Sequence, residues 1–361
     1  MISKPEDMIH EIVADFGFSL LGVETHRGVW RLKTTGGIKY LKKSKFGPSD
    51  LLFINEVLEY LRRQSFNHVI RLAVSRYGTP YTMRETGCYI LTDWYTSREL
   101  DFRILMDLKQ AIRLMVEFHR KGEGFTPVGE IAERACWLTW PAKMLNRINQ
   151  LRDFRRLALE ERESSPFSRL FLQYYEPYYR QAIASYQMLL ASPYYEVALC
   201  DHYRRTLCHH DYSARNLLRV YTDQLMLVDF DYCLRDIRIH DLINLIVRNL
   251  KHNEWDPGLC RFILQEYHEE GKLTPGEIEV MYVLLNWPQD FWQVGLQYYY
   301  EKLPWPAERF LKKLQSKIES RFAREKFLKD FPEQNGIYEW KAPKTEISTC
   351  YPSTRMTSIE K

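Results

Sequence analysis

The residues whose types and spacing suit chemistry lie in one stretch, LCHHDYSARNLLRVYTDQLMLVDFDYCLRDIRIHDL, from Leu207 to Leu242. It holds His209-His210-Asp211, four further residues, Asn216, and then, after a short apolar run, Asp229-Phe230-Asp231. Phosphoryl transfer requires such a set: a carboxylate to take a hydroxyl proton, and an Asn and an Asp to hold Mg²⁺ against phosphate oxygens. Asp211 is the candidate base. Asn216 and Asp229 are candidate metal ligands, and Asp231 is either a further ligand or a structural carboxylate. His209 stands beside Asp211 as a candidate catalytic position, with bracing of the loop by hydrogen bonds as its first role.

These groups work only if they meet. Asn216–Val220 and Leu225–Val228 read as two short strands joined by the polar turn 221–224. A hairpin then brings the end that carries Asn216 beside the end that carries Asp229. Asp and Asn are common in turns for their own sake; the strand ending in Asp-Phe-Asp lifts this stretch above an ordinary surface hairpin. Protein kinases place H-R-D-x-x-x-x-N and D-F-G in the same order.

Upstream, Ile9, Ile12, Val13 and Phe16 share one face of a helix over 5–16, with Gly17 as its C-cap. Strands are expected at Phe18–Val23, Val29–Lys33 and Ile38–Lys43, with a phosphate-facing loop at Glu24–Gly28 that has one glycine and a tight turn at Thr34–Gly37. Alternation puts Ile38, Tyr40 and Lys42 on one face of the third strand, and Lys39, Leu41 and Lys43 on the other. Lys42 is the candidate phosphate lysine. A helix over 49–66 offers Glu56 to hold it, with Glu59 in reserve. Strands at Val69–Val74, Pro80–Arg84 and Cys88–Leu91 lead to a hinge at Thr92–Arg98, where Asp93 and Trp94 are the candidate nucleotide-binding positions.

Helix dominates from Asp101 onward. Residues 139–163 are basic, through Lys143, Arg147, Arg152, Arg155 and Arg156, and read as a solvated face balanced by Glu160, Glu161 and Glu163. With the helix over 167–192 they form a helical hairpin, a candidate acceptor-binding lid. Asp241 is expected to cap a helix and brace the catalytic loop. Thr274-Pro275-Gly276-Glu277 is a capping box, and Trp287–Trp292 with Tyr298-Tyr299-Tyr300 reads as helical core. A charged helix over 306–330 follows, then a tail that loses periodicity.

Composition sets limits. The 361 residues suffice for two lobes. A net charge of +4, with no basic stripe, gives no reason to expect a nucleic-acid partner. Seven scattered Cys without C-x-x-C or Cys/His ligand spacing argue against a disulfide framework or a zinc site. No apolar run reaches the ~18 residues of a membrane span, and synthesis in the cytoplasm is expected.

With these residues in view, the chain resembles the aminoglycoside phosphotransferase/choline kinase-like superfamily, through Cys208–Asn216 and Val228–Asp231. To about Phe331 it resembles CotS-type spore-coat proteins, through Val29-Trp30-Arg31, Thr35-Gly36, Leu91–Trp94, Trp287–Trp292 and Tyr298-Tyr299. The resemblance implies an α+β, two-lobed protein kinase-like fold, with a small, mainly antiparallel β N-lobe (1–94) and a larger helical C-lobe (95–331). The C-lobe would hold the catalytic loop 207–231 and the inserted hairpin 139–192; the aperiodic tail 332–361, rich in Ser, Thr, Lys and Pro, reads as disordered or partner-dependent. It also implies ATP and Mg²⁺ sites at Lys42, Asp211, Asn216 and Asp229, an unknown hydroxyl acceptor, other coat proteins as partners, and assembly from the mother-cell cytoplasm into the spore coat. The alternative is a catalytically silent coat protein on a kinase fold. Two departures stand out: a glycine-poor phosphate loop, and His210 where the superfamily often has a small residue.

Overall fold

In the computed structural model, residues 5–26, 29–129, 134–221 and 223–334 are described. By internal contacts the chain forms two compact units: Met1–Ala135 with Arg205–Asp241, and Cys136–Arg204 with Leu242–Lys361. All the candidate site residues fall in the first.

The first unit begins with α1 (Pro5–Asp15), whose apolar face is Ile9, Ile12 and Val13, followed by Phe16. These side chains are buried against Leu32, Leu41, Tyr89 and Leu91 of a five-stranded antiparallel sheet. The strands are β1 (Leu20–His26), β2 (Val29–Thr34), β3 (Gly37–Lys43), β4 (Thr82–Arg84) and β5 (Gly87–Asp93), ordered β1-β2-β3-β5-β4. Each buried aliphatic side chain contributes about 1.5–3 kcal/mol, so α1 commits one face of the sheet to core. Leu41 lies on that face, and by alternation Tyr40 and Lys42 lie on the other.

β2 and β3 join through a tight turn in which Thr34 pairs with Gly37. Gly37 has φ +93°, a conformation that favours glycine. The loop expected from Glu24 is instead strand as far as His26: Glu24, Thr25 and His26 pair with Arg31, Trp30 and Val29. The ion pair of Glu24 with Arg31, at 2.5 Å, reinforces that ladder. Arg27 and Gly28 of the expected loop lie outside the described residues.

Between β3 and β4 runs α2 (Pro48–Arg63). The strand expected at Val69–Val74 is absent. Val69 bridges to Leu227 and Leu72 to Thr92, so the segment divides its pairing between two sheets and joins neither ladder. The second sheet is antiparallel, in the order β6 (Ser97–Glu99), β7 (Leu217–Val220), β8 (Leu225–Leu227). α3 (Leu105–Gly122) packs with α2 and buries Leu108, Ile112, Met115 and Phe118.

The second unit is helical: α4 (Trp140–Glu160), α5 (Pro166–Ala191) and α6 (Tyr194–Arg204), then α7 (Ile239–Leu250), which groups with the first unit through Asp241. α8 (Pro257–Gly271), α9 (Pro275–Asn286), α10 (Gln289–Gly295), α11 (Ala307–Glu319) and α12 (Arg321–Gln334) complete it. α4 and α5 form the expected hairpin, and both halves of the Thr274/Glu277 capping box are made. Most of the aromatic block is core: Trp287, Phe291, Trp292 and Tyr299 are buried, and Phe291 stacks on Phe171 and Tyr178, with centroids 4.5 and 4.2 Å apart, but Tyr300 is exposed.

Two expectations change here. Arg147 is not on a solvated face. Its guanidinium lies 4.3 Å from the Trp292 ring and 5.6 Å from Trp140, and burial pushes its pKa down to about 10. The charged helix over 306–330 is two helices, α11 and α12, separated at Ser320. α12 continues to Gln334, and 335–361 of the expected tail lie outside the described residues.

Candidate active site

Asp229 follows β8, and its backbone turns sharply at φ 64° and ψ 63°. Asn216 precedes β7. The Val228 N–H donates to the Asn216 carbonyl at 3.0 Å, closing the end of the hairpin. The expected juxtaposition of the Asn216 and Asp229 ends therefore arises from local pairing alone.

Lys42 reaches this end from β3. Its Nζ donates to Asp229 Oδ1 at 2.9 Å and to Asp231 Oδ2 at 2.7 Å. Burial alone would disfavour the ammonium, but the two carboxylates outweigh burial and hold Lys42 protonated beyond the ordinary lysine range. Burial and the neighbouring Asp229 push the Asp231 carboxyl up, against the pull of Lys42. One ammonium faces two carboxylates, so the cluster carries excess negative charge in a half-buried place. Its donors are oxygens of the kind Mg²⁺ prefers, and the ammonium sits where a cation is wanted. The residues present fit a divalent cation.

Asp211 lies beside them. It accepts from Asn216 Nδ2 at 2.9 Å and from Arg215 Nη2 at 2.8 Å. Arg215 also feels the charge of Asp229. Sequence reasoning missed Arg215; its signal was a cation four residues after the candidate base.

His209 is fully buried. Its Nδ1 accepts from the Asp211 N–H at 3.3 Å, so the neutral ring donates from Nε2 to the Val228 carbonyl at 3.0 Å. Burial pushes its pKa down. Both ring nitrogens of His209 are engaged and the ring has no exposed edge, the arrangement that bracing of the loop requires. The His210 ring lies 4.1 Å from that of His240, and its Nε2 lies 3.1 Å from Asp236 Oδ2.

Asp241, at the start of α7, accepts the N–H groups of His209 at 2.6 Å and His210 at 2.8 Å, with His119 Nε2 3.3 Å away. Burial would raise its pKa, but its bond to His119 and the nearby histidines keep the carboxyl far below the ordinary range. The bracing role expected for Asp241 is therefore visible as two charge-assisted hydrogen bonds to the loop backbone. A second brace was not foreseen. Arg134, buried, donates to the carbonyls of Asp231 and Cys233, both at 2.9 Å, and to Asp50 Oδ1 at 2.6 Å. Nothing local distinguishes this arginine from a surface one.

The structure does not bring Glu56 to Lys42. Glu56 Oε2 accepts the Val128 N–H at 2.9 Å, and Glu59 pairs with Arg71 at 3.4 Å. Asp93 pairs with Lys39 at 2.6 Å, and the Trp94 N–H donates to the Ile38 carbonyl at 3.0 Å. The Trp94 donor is thus engaged in sheet pairing.

Spore coat protein S of Bacillus subtilis (strain 168) is 22% identical over 338 residues, which cover 91% of this chain and 95% of that protein. An aminoglycoside phosphotransferase from Alicyclobacillus acidocaldarius is similar in structure, with TM-score 0.74 and 18% identity over 90% of this chain and 95% of its own. A spectinomycin phosphotransferase, APH(9)-Ia, solved with ADP and spectinomycin, has TM-score 0.57 and 12% identity over 90% of this chain and 99% of its own. These structures share the fold, a small antiparallel sheet with a larger helical part. Residues 30–331 match the family described as "Spore coat putative kinase YutH", and the chain belongs to that kinase-like spore-coat family.

Proposed function

We propose that this protein transfers the γ-phosphoryl group of ATP to a hydroxyl acceptor and that it works in association with the spore coat. The observation that carries the reading is the convergence of Lys42, Asp229 and Asp231, with Asp211 and Asn216 one hydrogen bond apart next to them. The spectinomycin phosphotransferase solved with ADP supports a nucleotide as donor, and Spore coat protein S supports the location and other coat proteins as partners.

Asp211 orients the acceptor hydroxyl and takes its proton. The acceptor oxygen bonds to the γ-phosphorus as the bond to the β,γ-bridging oxygen breaks, and the electron pair leaves on ADP. Asp229, Asn216 and Asp231 are the residues that would hold Mg²⁺, which when bound neutralises charge on the phosphate oxygens. Lys42, which here donates to Asp229 and Asp231, is the residue that would bind the phosphates. Asn216 and Arg215 hold Asp211 in place, and His209 fixes the backbone beneath it.

The bond from the Val128 N–H to Glu56 favours a second reading, a coat protein on a kinase fold that does no catalysis, because it leaves Lys42 without its helix partner. Calorimetric titration with ATP, with and without Mg²⁺, separates the two. Mg²⁺-dependent heat that Asp229→Ala abolishes is the expected result, followed by loss of turnover in Asp211→Asn. No heat at millimolar ATP would remove the enzyme reading and leave the scaffold.

A further inference from the structure

We infer that Tyr40 plugs the place a nucleobase would take, so that the site holds the metal-triphosphate end of a nucleotide with little help from the base. The inference rests on the phosphate-site reading above and concerns the other end of the same ligand. If the phosphates lie at Lys42 and Asp229, the base must extend along the Lys42 face of the sheet toward Asp93 and Trp94. Tyr40 stands on that path. It precedes Lys42 by two residues on the same face, and it pairs across the ladder with Arg31 on one side and Thr92 on the other.

A strand side chain stands nearly perpendicular to its sheet. The Tyr40 ring therefore rises through the layer in which a base would lie against the strands. Its neighbours on that face are an aromatic ring and a guanidinium. The Trp94 ring is 6.2 Å away, tilted by 33°. The Arg31 guanidinium lies 5.5 Å from the same indole and is anchored by Glu24 at 2.5 Å. Tyr40 is half-buried, and its hydroxyl feels Lys42, Asp229 and Asp231. The N–H of Trp94, a backbone group that could otherwise read a base edge, donates to Ile38. The chain's own aromatic and cationic groups thus serve one another on this face, with Tyr40 and Trp94 each half-buried.

The test compares Mg²⁺·ATP with Mg²⁺·tripolyphosphate by calorimetry on the full chain, in the wild type, Tyr40→Ala, Tyr40→Val and Asp229→Ala. Tyr40→Val keeps a β-branched residue in the strand should the alanine variant fail to fold. In the wild type the two ligands should bind within about threefold of each other. Removing the ring should tighten ATP by about tenfold or more, the size of one good stacking contact, and leave tripolyphosphate unchanged. If ATP binds no better, or worse, in both Tyr40 variants while tripolyphosphate still binds, Tyr40 is no plug and this inference alone is overturned. If neither ligand binds any variant, or if Asp229→Ala binds both as before, the phosphate-site reading falls and takes the inference with it.

Discussion

Lys42 sits between Asp229 and Asp231, with the Lys42 and Asp231 side chains 21% and 12% exposed. Removing the cation leaves two carboxylates facing each other, Asp231 mostly shielded and Asp229 36% exposed. Lys42→Met should therefore destabilise the protein by about 1–3 kcal/mol, read by urea unfolding. Adding Asp231→Asn to it should restore part of the loss, because the second substitution removes the stranded charge. A Lys42→Met protein as stable as the wild type would mean the pair holds nothing. His209 gives a pH prediction. Its folded pKa lies below the ordinary 6.5, so the folded state keeps the ring neutral while the unfolded chain takes up a proton below that value. Its contribution to stability is complete above pH 6.5 and is lost on acidification, at up to about 1.4 kcal/mol per pH unit. Unfolding free energies compared between pH 7.5 and 5.5 should fall less steeply in His209→Asn than in the wild type; equal slopes would put the titrating group elsewhere.

At the scale of elements, the loop over 207–216 is held by what surrounds it. His210 at φ 62° and Asp229 at φ 64° are left-handed positions without glycine, a strain of about 1 kcal/mol or more each that neighbouring bonds must over-determine. Asp241 supplies two of those bonds from α7. Asp241→Ala should cost about 2–4 kcal/mol by leaving one buried and one part-buried N–H group unsatisfied, and it should weaken Mg²⁺·ATP binding although it touches no ligand. Thr274→Ala, at the capping box of α9, is the matched control. It should cost about 1 kcal/mol and leave ligand affinity unchanged. An unaltered affinity in Asp241→Ala would remove the bracing argument.

For the whole molecule, family membership covers residues 30–331. No helix among the described residues is long and apolar enough to cross a membrane. A ligand that binds only the folded chain stabilises it by mass action, about 1.4 kcal/mol for each decade of free ligand above its Kd. The thermal midpoint should therefore climb with the logarithm of Mg²⁺·ATP concentration and stay flat in Asp229→Ala. A flat response in the wild type would agree with the scaffold reading.

What the sequence by itself determined is what local chemistry dictates. The hairpin over 216–229 closes within a short span, so Asn216 and Asp229 were bound to meet once the two strands were recognised. Alternation settled the face of Lys42, helical spacing settled the core face of α1, and the Thr274/Glu277 box marked its helix. What only the tertiary structure decided is which side chains stand opposite one another. Periodicity tells which way a residue points and is silent about what it meets there. Lys42 meets an aspartate 187 residues away while Glu56 turns to Val128. Arg134 is buried beneath Asp231, and Arg147 lies against the rings of Trp140 and Trp292, though both read locally as surface cations. The segment 69–74 has strand-like residues, but its bridges go to two sheets. Tyr40, placed on the Lys42 face by alternation, acquires its meaning only from Arg31 and Trp94, because filling a site depends on every group that borders it.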